Sequence, residues 1–266
     1  MKLTRILAAA SAIVAVTGNL AMATPSTQIW IPSTDVKAFK EIHIDVDNYM
    51  RFSPKPDAGP NYYNIGLSAG VLPSENIKLE VGIDMLMTSL QNDNQSDNHP
   101  LYFNAKLGTP EDAFGVKGLP AFAIGAFNLG TYDKPEIGVS TRQNIVYGLV
   151  GKTLPVIGRL SAGGYYGSSR ALATAGNPSS TKNNSGVMAS WDRSMPEISD
   201  KLWLAVDYMS GNNANGEISA GGSWTFSKQV SLIVGVVFFN PFYKPSGAGD
   251  LPGGKPALTT QLDIAF

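Results

Sequence analysis

Ile77-Lys78-Leu79-Glu80-Val81-Gly82-Ile83-Asp84-Met85 decides how this chain is read: each odd position is apolar and each even one is polar or glycine. Successive side chains of a β-strand point to opposite faces of its sheet, so a period of two describes a strand with one apolar and one polar face. The pattern recurs upstream, where Ile42, Ile44 and Val46 alternate with Glu41, His43, Asp45 and Asp47. Downstream it passes through Leu101, Phe103 and Leu107, then Phe122 and Ile124, then Tyr147 and Leu149, and on through Leu160, Val187, Leu204, Val206, Trp224, Val234 and Phe238. The reading gives about twelve strands of roughly ten residues, the length that crosses a bilayer at a tilt of about 45°.

The connections alternate too. Residues 73–76, 154–156, 195–199 and 228–229 read as short turns, and residues 53–61, 88–99, 131–142, 169–184 and 241–256 as long loops. Residues 110–119 are long for a turn and 212–216 short for a loop, which blurs the pattern at two places. Short turns on one side and long loops on the other are the layout of an outer-membrane barrel. Tyr49, Phe52, Tyr62, Tyr102, Tyr165 and Tyr208 fall near the long loops, and Trp224, Phe226 and Phe266 near the other rim, as interfacial belts require.

Composition narrows the class. Charged residues make up 15% of the chain, against about 25% in an average soluble domain. The 20 Lys+Arg nearly balance the 21 Asp+Glu, which argues against nucleic acid as an electrostatic partner. The absence of cysteine excludes thiolate metal sites, c-type haem attachment and a Cys nucleophile. Lys2 and Arg5, an apolar stretch over residues 6–16 and Ala21-Met22-Ala23 have the layout of a secretory signal peptide over residues 1–23. Beyond it no run approaches the 18 or so apolar residues of a membrane helix. Residues 24–40 then form an N-terminal periplasmic or lumenal segment, and residues 41–266 the barrel.

The last strand, Leu258-Thr259-Thr260-Gln261-Leu262-Asp263-Ile264-Ala265-Phe266, alternates and finishes on an aromatic residue. With it the chain resembles Gram-negative outer-membrane β-barrels of the porin-like kind, over residues 41–266. The resemblance implies an outer-membrane location, outer-membrane lipid as surroundings, and recognition of Phe266 as an insertion signal by the barrel-assembly machinery. The expected fold is all-β, a transmembrane antiparallel up-and-down β-barrel of about twelve strands. A secreted β-sandwich would also alternate, but the low charge, strand count, loop asymmetry and terminal Phe266 favour the barrel.

In that fold the polar face lines the lumen. The expected lumenal set is Glu41, His43, Asp45, Asp47, Lys78, Glu80, Asp84, Lys106, Lys152, Arg159, Asp192, Lys201, Asp207 and Asp263. Acids exceed bases, so an open pore would lean toward cations; the same charges could instead pair across a narrow lumen and hold it shut. Asp45 and Asp47, with Glu41, should meet Asp263 and Gln261 where first and last strands close, and adjacent carboxylates repel unless a cation or a Lys shares the site. No compact oxygen-ligand loop marks a calcium site there.

Ahead of the first strand, Ser33-Thr34-Asp35 offers a helix cap for residues 36–39, and the apolar Ile29-Trp30-Ile31 needs a place to bury. The unusually apolar or small inner faces of Ala121, Ala123, Gly125 and Phe127 and of Ile233, Gly235 and Val237 suggest a plug folded into the lumen, with a further strand or a loose tether as the alternatives. His43 and His99 are the two imidazoles, and neither is placed to activate a serine at the lipid boundary. Asp93, Asp97 and His99 make a thin version of a rim-protease cluster. No cofactor motif occurs. The expectation is a gradient-driven channel or passive transporter for a small solute or ion, not an enzyme; a structural or adhesive barrel, or a lipid-active one, is the alternative.

Overall fold

A computed structural model describes residues 26–88, 98–134, 136, 139–169, 172, 183–243 and 252–266. The signal-peptide reading, and Asp93 and Asp97, lie outside the described residues. The strands are β1 (Ile42–Arg51), β2 (Tyr62–Gly70), β3 (Lys78–Thr88), β4 (Leu101–Thr109), β5 (Ala121–Gly130), β6 (Asp133–Lys134) and β7 (Val139–Ser140). They continue with β8 (Ile145–Leu154), β9 (Gly158–Tyr166), β10 (Ser185–Ser194), β11 (Leu202–Met209), β12 (Glu217–Thr225), β13 (Val230–Phe239) and β14 (Ala257–Ala265).

Twelve of these close into one antiparallel barrel, each strand beside its neighbour in sequence, while β6 and β7 form a small ladder within the loop between β5 and β8. The closing seam pairs β1 with β14, from His43 opposite Ala265 to Arg51 opposite Ala257. Closure leaves no sheet edge with unpaired backbone groups, a condition for any β-structure inside a bilayer. The ladder between β4 and β5 shifts register between Phe103 and Ala105, and Asn128 nearby has φ of 51°.

The outward face is apolar: Ile65, Leu67, Val81, Ile83, Phe103, Phe122, Ile124, Val150, Val234 and Phe238 are all exposed. On a water-soluble protein so continuous an apolar surface would drive association; around a closed barrel it is the lipid face.

β8 corrects the sequence reading. Ile145, Tyr147 and Leu149 point inward and are buried, whereas Val146 and Val150 face out. Both faces of β8 are apolar, so periodicity cannot choose between them; the inner face is apolar because Ile31 packs on it. The inversion also moves Lys152 out of the expected lumenal set. It stands at the rim that carries the β8–β9 turn and binds Glu111 at 2.7 Å and Asp112 at 3.5 Å in the connection between β4 and β5. Partial burial opposes ionisation of Glu111, but hydrogen bonds from Lys152 and Thr153 outweigh it and hold the carboxyl below its usual range. Lys201 lies in the exposed turn before β11, not in a strand. Glu41 precedes β1 and its carboxylate accepts from the Ala38 N–H and pairs with Lys37.

Candidate functional site

Residues 26–33 fold back on themselves inside the barrel. Thr27 bridges Pro32, the Gln28 N–H donates to the Ile31 carbonyl at 2.8 Å, and the Ser33 N–H donates to the Ser26 carbonyl at 3.0 Å. This is a tight hairpin with Ile29 and Trp30 at its tip. Its stem leaves along β2, where Phe39 makes a parallel bridge to Gly70 and the Lys40 N–H donates to the Gly70 carbonyl. Any Cβ at Gly70 would collide with the Ala38 carbonyl, so glycine there lets the stem lie against the wall. The expected helix over residues 36–39 is absent: Ser33 Oγ does accept from the Asp35 N–H, but the Asp35 carboxylate is taken by an arginine instead.

Three sets of contacts hold the hairpin. At the tip, Asp207 Oδ2 accepts from the N–H of Ile29 at 2.7 Å and of Trp30 at 2.9 Å, with Ile31 longer at 3.4 Å. The Ile29 carbonyl accepts from Gln261 Nε2 at 2.7 Å and from the Tyr49 hydroxyl at 3.2 Å. A turn whose backbone groups would go unmet in a dry interior is thus satisfied by wall side chains. Lower down, the Arg159 guanidinium forks onto Asp35 at 2.6 and 2.7 Å and reaches Asp192 at 2.9 Å. Asp192 also accepts from Gln28 Nε2 at 2.9 Å. The third set is apolar. Ile29 packs with Ala205 and Ile233, Ile31 with Ile145, Leu149, Met188 and Met209, and Trp30 stands edge-on to Tyr49 and Phe239 at 5.0 and 5.2 Å.

The hairpin therefore packs mainly on the side of the lumen walled by β8 to β13, with Tyr49 of β1 and Gln261 of β14 reaching its tip. A cavity of about 230 Å³ remains beside it, bounded by the hairpin, by β1 to β5 with β14, by Tyr147 of β8 and by Gln143, Ala214 and Asn215 of the loops. Asp45, Asp47 and Asp84 lie on its wall. Asn64 Nδ2 bridges Asp45 at 3.0 Å and Asp84 at 3.4 Å, and Asn104 Nδ2 donates to Asp84 at 2.6 Å. At the floor His43 Nε2 meets Asp263 at 3.1 Å. Glu80 is buried and accepts from the Lys37 N–H, and the Lys106 ammonium donates to the carbonyls of Ser26 and Asp35. Lys78 is half-buried at the start of β3.

Of the fourteen residues read as lumenal, the structure thus gathers Asp45, Asp47, Asp84, His43 and Asp263 around the cavity with Glu80 and Lys106, and sets Arg159, Asp192 and Asp207 against the hairpin. Gln261 stands opposite Asp47 at the closing seam as expected, whereas the contacts of Asp35, Gln28 and Tyr49 with the hairpin and wall were missed. Asn64 and Asn104 were legible, since each occupies the inward parity of its strand. His99 stacks on Tyr132 with ring centroids 3.7 Å apart in the loop region. Phe266 exchanges backbone hydrogen bonds with Ile42 beside the closing seam.

The lipid-facing exterior and the closed ladder decide the class. The chain is a closed twelve-stranded antiparallel barrel that resembles Gram-negative outer-membrane barrels. No protein-family model matches its sequence, and no curated protein does. Among solved structures it is similar to OmpF from Salmonella typhi in a complex with daunomycin, at 10% identity and TM-score 0.39, over 85% of this chain and 96% of that one. It is also similar to outer membrane phospholipase A from Escherichia coli, at 11% identity and TM-score 0.43, over 83% of this chain and 92% of that one. A calcium-bound outer membrane phospholipase dimer from Salmonella typhi gives 12% identity and TM-score 0.42, over 85% of this chain and 90% of that one. The likeness is one of barrel architecture.

Proposed function

We propose that this outer-membrane barrel is a channel or passive transporter for small solutes, with a cation-leaning lumen and the N-terminal hairpin as its plug. The observation that carries the reading is the division of the lumen into a filled half and a hollow, acid-walled half. The filled half is held by a few polar latches and a small apolar interface, contacts that a segment can break without unfolding the barrel around it. The hollow half presents Asp45, Asp47 and Asp84, while the lumenal bases Lys106 and Arg159 are engaged by the hairpin segment. Fixed carboxylates at a constriction favour cations, and the sequence offers no nucleotide-binding motif for active transport. His43 is held by Asp263 inside the lumen and His99 by Tyr132 in a loop region, positions that support transport over lipid hydrolysis.

The test is single-channel conductance in planar bilayers under a salt gradient, comparing the refolded chain with a variant lacking residues 24–33. The deletion should give larger, discrete steps with a cation-leaning reversal potential. If both proteins are silent while migrating as folded, heat-modifiable barrels, the channel reading fails and a structural barrel takes its place.

A further inference from the structure

We propose that the cavity beside the hairpin is a binding site for a primary ammonium group, R–NH3+, on a short apolar chain. This names the solute class of the channel and rests on that reading. The wall carries five carboxylates: Asp263 meets His43 and Glu80 accepts from the Lys37 N–H, which leaves Asp45, Asp47 and Asp84. Lys106 is the one Lys or Arg on the cavity wall among the described residues, and its ammonium is committed to the carbonyls of Ser26 and Asp35. Three carboxylates with only amide donors between them repel one another unless a cation enters.

A second observation specifies what kind of cation. His43 is buried on this wall, its side chain 4% exposed, and its Nδ1 has no hydrogen-bond partner. Nε2 of His43 is taken by Asp263, which leaves Nδ1 as the ring nitrogen with no partner. Asn64 spends Nδ2 on Asp45 and Asp84, and its Oδ1 is likewise buried and without a partner. The site therefore presents carboxylates, and beside them two polar atoms, His43 Nδ1 and Asn64 Oδ1, that have no partner. Buried polar atoms are rarely left unmet, and an ammonium group is the complement, with three N–H donors, one positive charge and no acceptor.

A bare metal ion fits less well. Among the described residues no group of three or more His, Asp or Glu side chains converges tightly enough to hold one. The opposite side of the cavity is apolar and aromatic, with Trp30, Phe127 and Tyr147, which suits an alkyl chain and can face a cation with ring π-density. A volume of about 230 Å³ lies below the ~300 Å³ at which drug-sized pockets begin, so the ligand is a small amine. Two glycines make room for the polar wall: a Cβ on Gly66 would overlap the Asp45 carboxylate, and one on Gly82 the Asn104 amide.

Isothermal titration calorimetry on the full refolded chain in detergent micelles tests the site, with four probes: butylammonium, 1-butanol, tetramethylammonium and calcium. Butylammonium should bind saturably, 1-butanol should give no binding, and tetramethylammonium, a cation without N–H donors, should bind at least about tenfold more weakly. Asp47→Asn should weaken butylammonium about thirtyfold, the loss expected for one charge-assisted contact. Gly66→Ala, which keeps every charge and displaces the Asp45 carboxylate, should also weaken it. Both variants are checked for heat-modifiable migration as folded barrels. Equal binding of 1-butanol or tetramethylammonium, binding of calcium alone, or indifference to both substitutions would each overturn the inference. So would the absence of binding by all four probes. The result separates from conductance: no ammonium binding with a conducting plug deletion removes the site and leaves the channel, and binding with a silent barrel removes the channel.

Discussion

Asp207→Ala should loosen the hairpin by about a hundredfold. The Asp207 carboxylate lies 2.7 and 2.9 Å from the N–H groups of Ile29 and Trp30, and it is 1% exposed. A hydrogen bond to a charged partner contributes about 1.5–3 kcal/mol. Two such bonds give about 3–6 kcal/mol, and water entering the space of the lost carboxylate favours the lower end. At about 1.4 kcal/mol per factor of ten, 3 kcal/mol multiplies the population of undocked hairpin by about 100. The chain has no cysteine, so Ser33→Cys supplies a single thiol at a site that is buried in the docked hairpin. A water-soluble maleimide then reports docking, because its rate follows the open population when opening and closing outpace the label. The comparison is between Ser33→Cys alone and Ser33→Cys with Asp207→Ala, each verified as a folded barrel. A rate in the double variant within a factor of two of the single one would refute the claim that Asp207 holds the tip.

Other contacts give further expectations on the same thiol. Arg159→Gln removes the fork onto Asp35 and the bond to Asp192; stranding these carboxylates should cost about 3 kcal/mol, near the low end for a broken buried pair because Asp35 is partly exposed, and labelling should quicken at least as much as in Asp207→Ala. Ile31→Ala empties a fully buried position; a change of this type costs about 2–5 kcal/mol, and it should speed labelling while leaving the thermal unfolding of the barrel nearly unchanged. Gly70→Ala should do the same from the other end, since its methyl cannot coexist with the Ala38 carbonyl in the docked stem, and unchanged labelling there would show that the stem does not need its place along β2.

Much of the barrel was readable from residues such as Lys78 to Met85, because alternation is written into each strand and each strand meets the same two surroundings. Its failure at β8 is instructive. Ile145, Tyr147 and Leu149 compete with Val146 and Val150 for the lipid face, and nothing within residues 145–150 decides the contest. The error then carried to Lys152, whose side is fixed by the same parity. The turn lysine Lys201 failed for a simpler reason: alternation predicts which face a residue takes but not where the strand begins.

The plug divides in the same way. That Ile29, Trp30 and Ile31 need burial, and that several inner faces are apolar enough to receive them, follows from side-chain chemistry alone. Which acid takes the turn does not, since Ile29 and Asp207 are 178 residues apart. Asp35 suits a helix cap by its neighbours in sequence, yet the Arg159 fork across the lumen offers it a stronger partner. The barrel strands, the lipid-facing side chains of those other than β8, and the division into short turns and long loops follow from the sequence, because these depend on contacts within a strand or with the bilayer. The tertiary structure alone decided the inward turn of β8, the latches on the hairpin and the acid-walled cavity beside it, because each depends on which distant side chains closure of the barrel brings face to face.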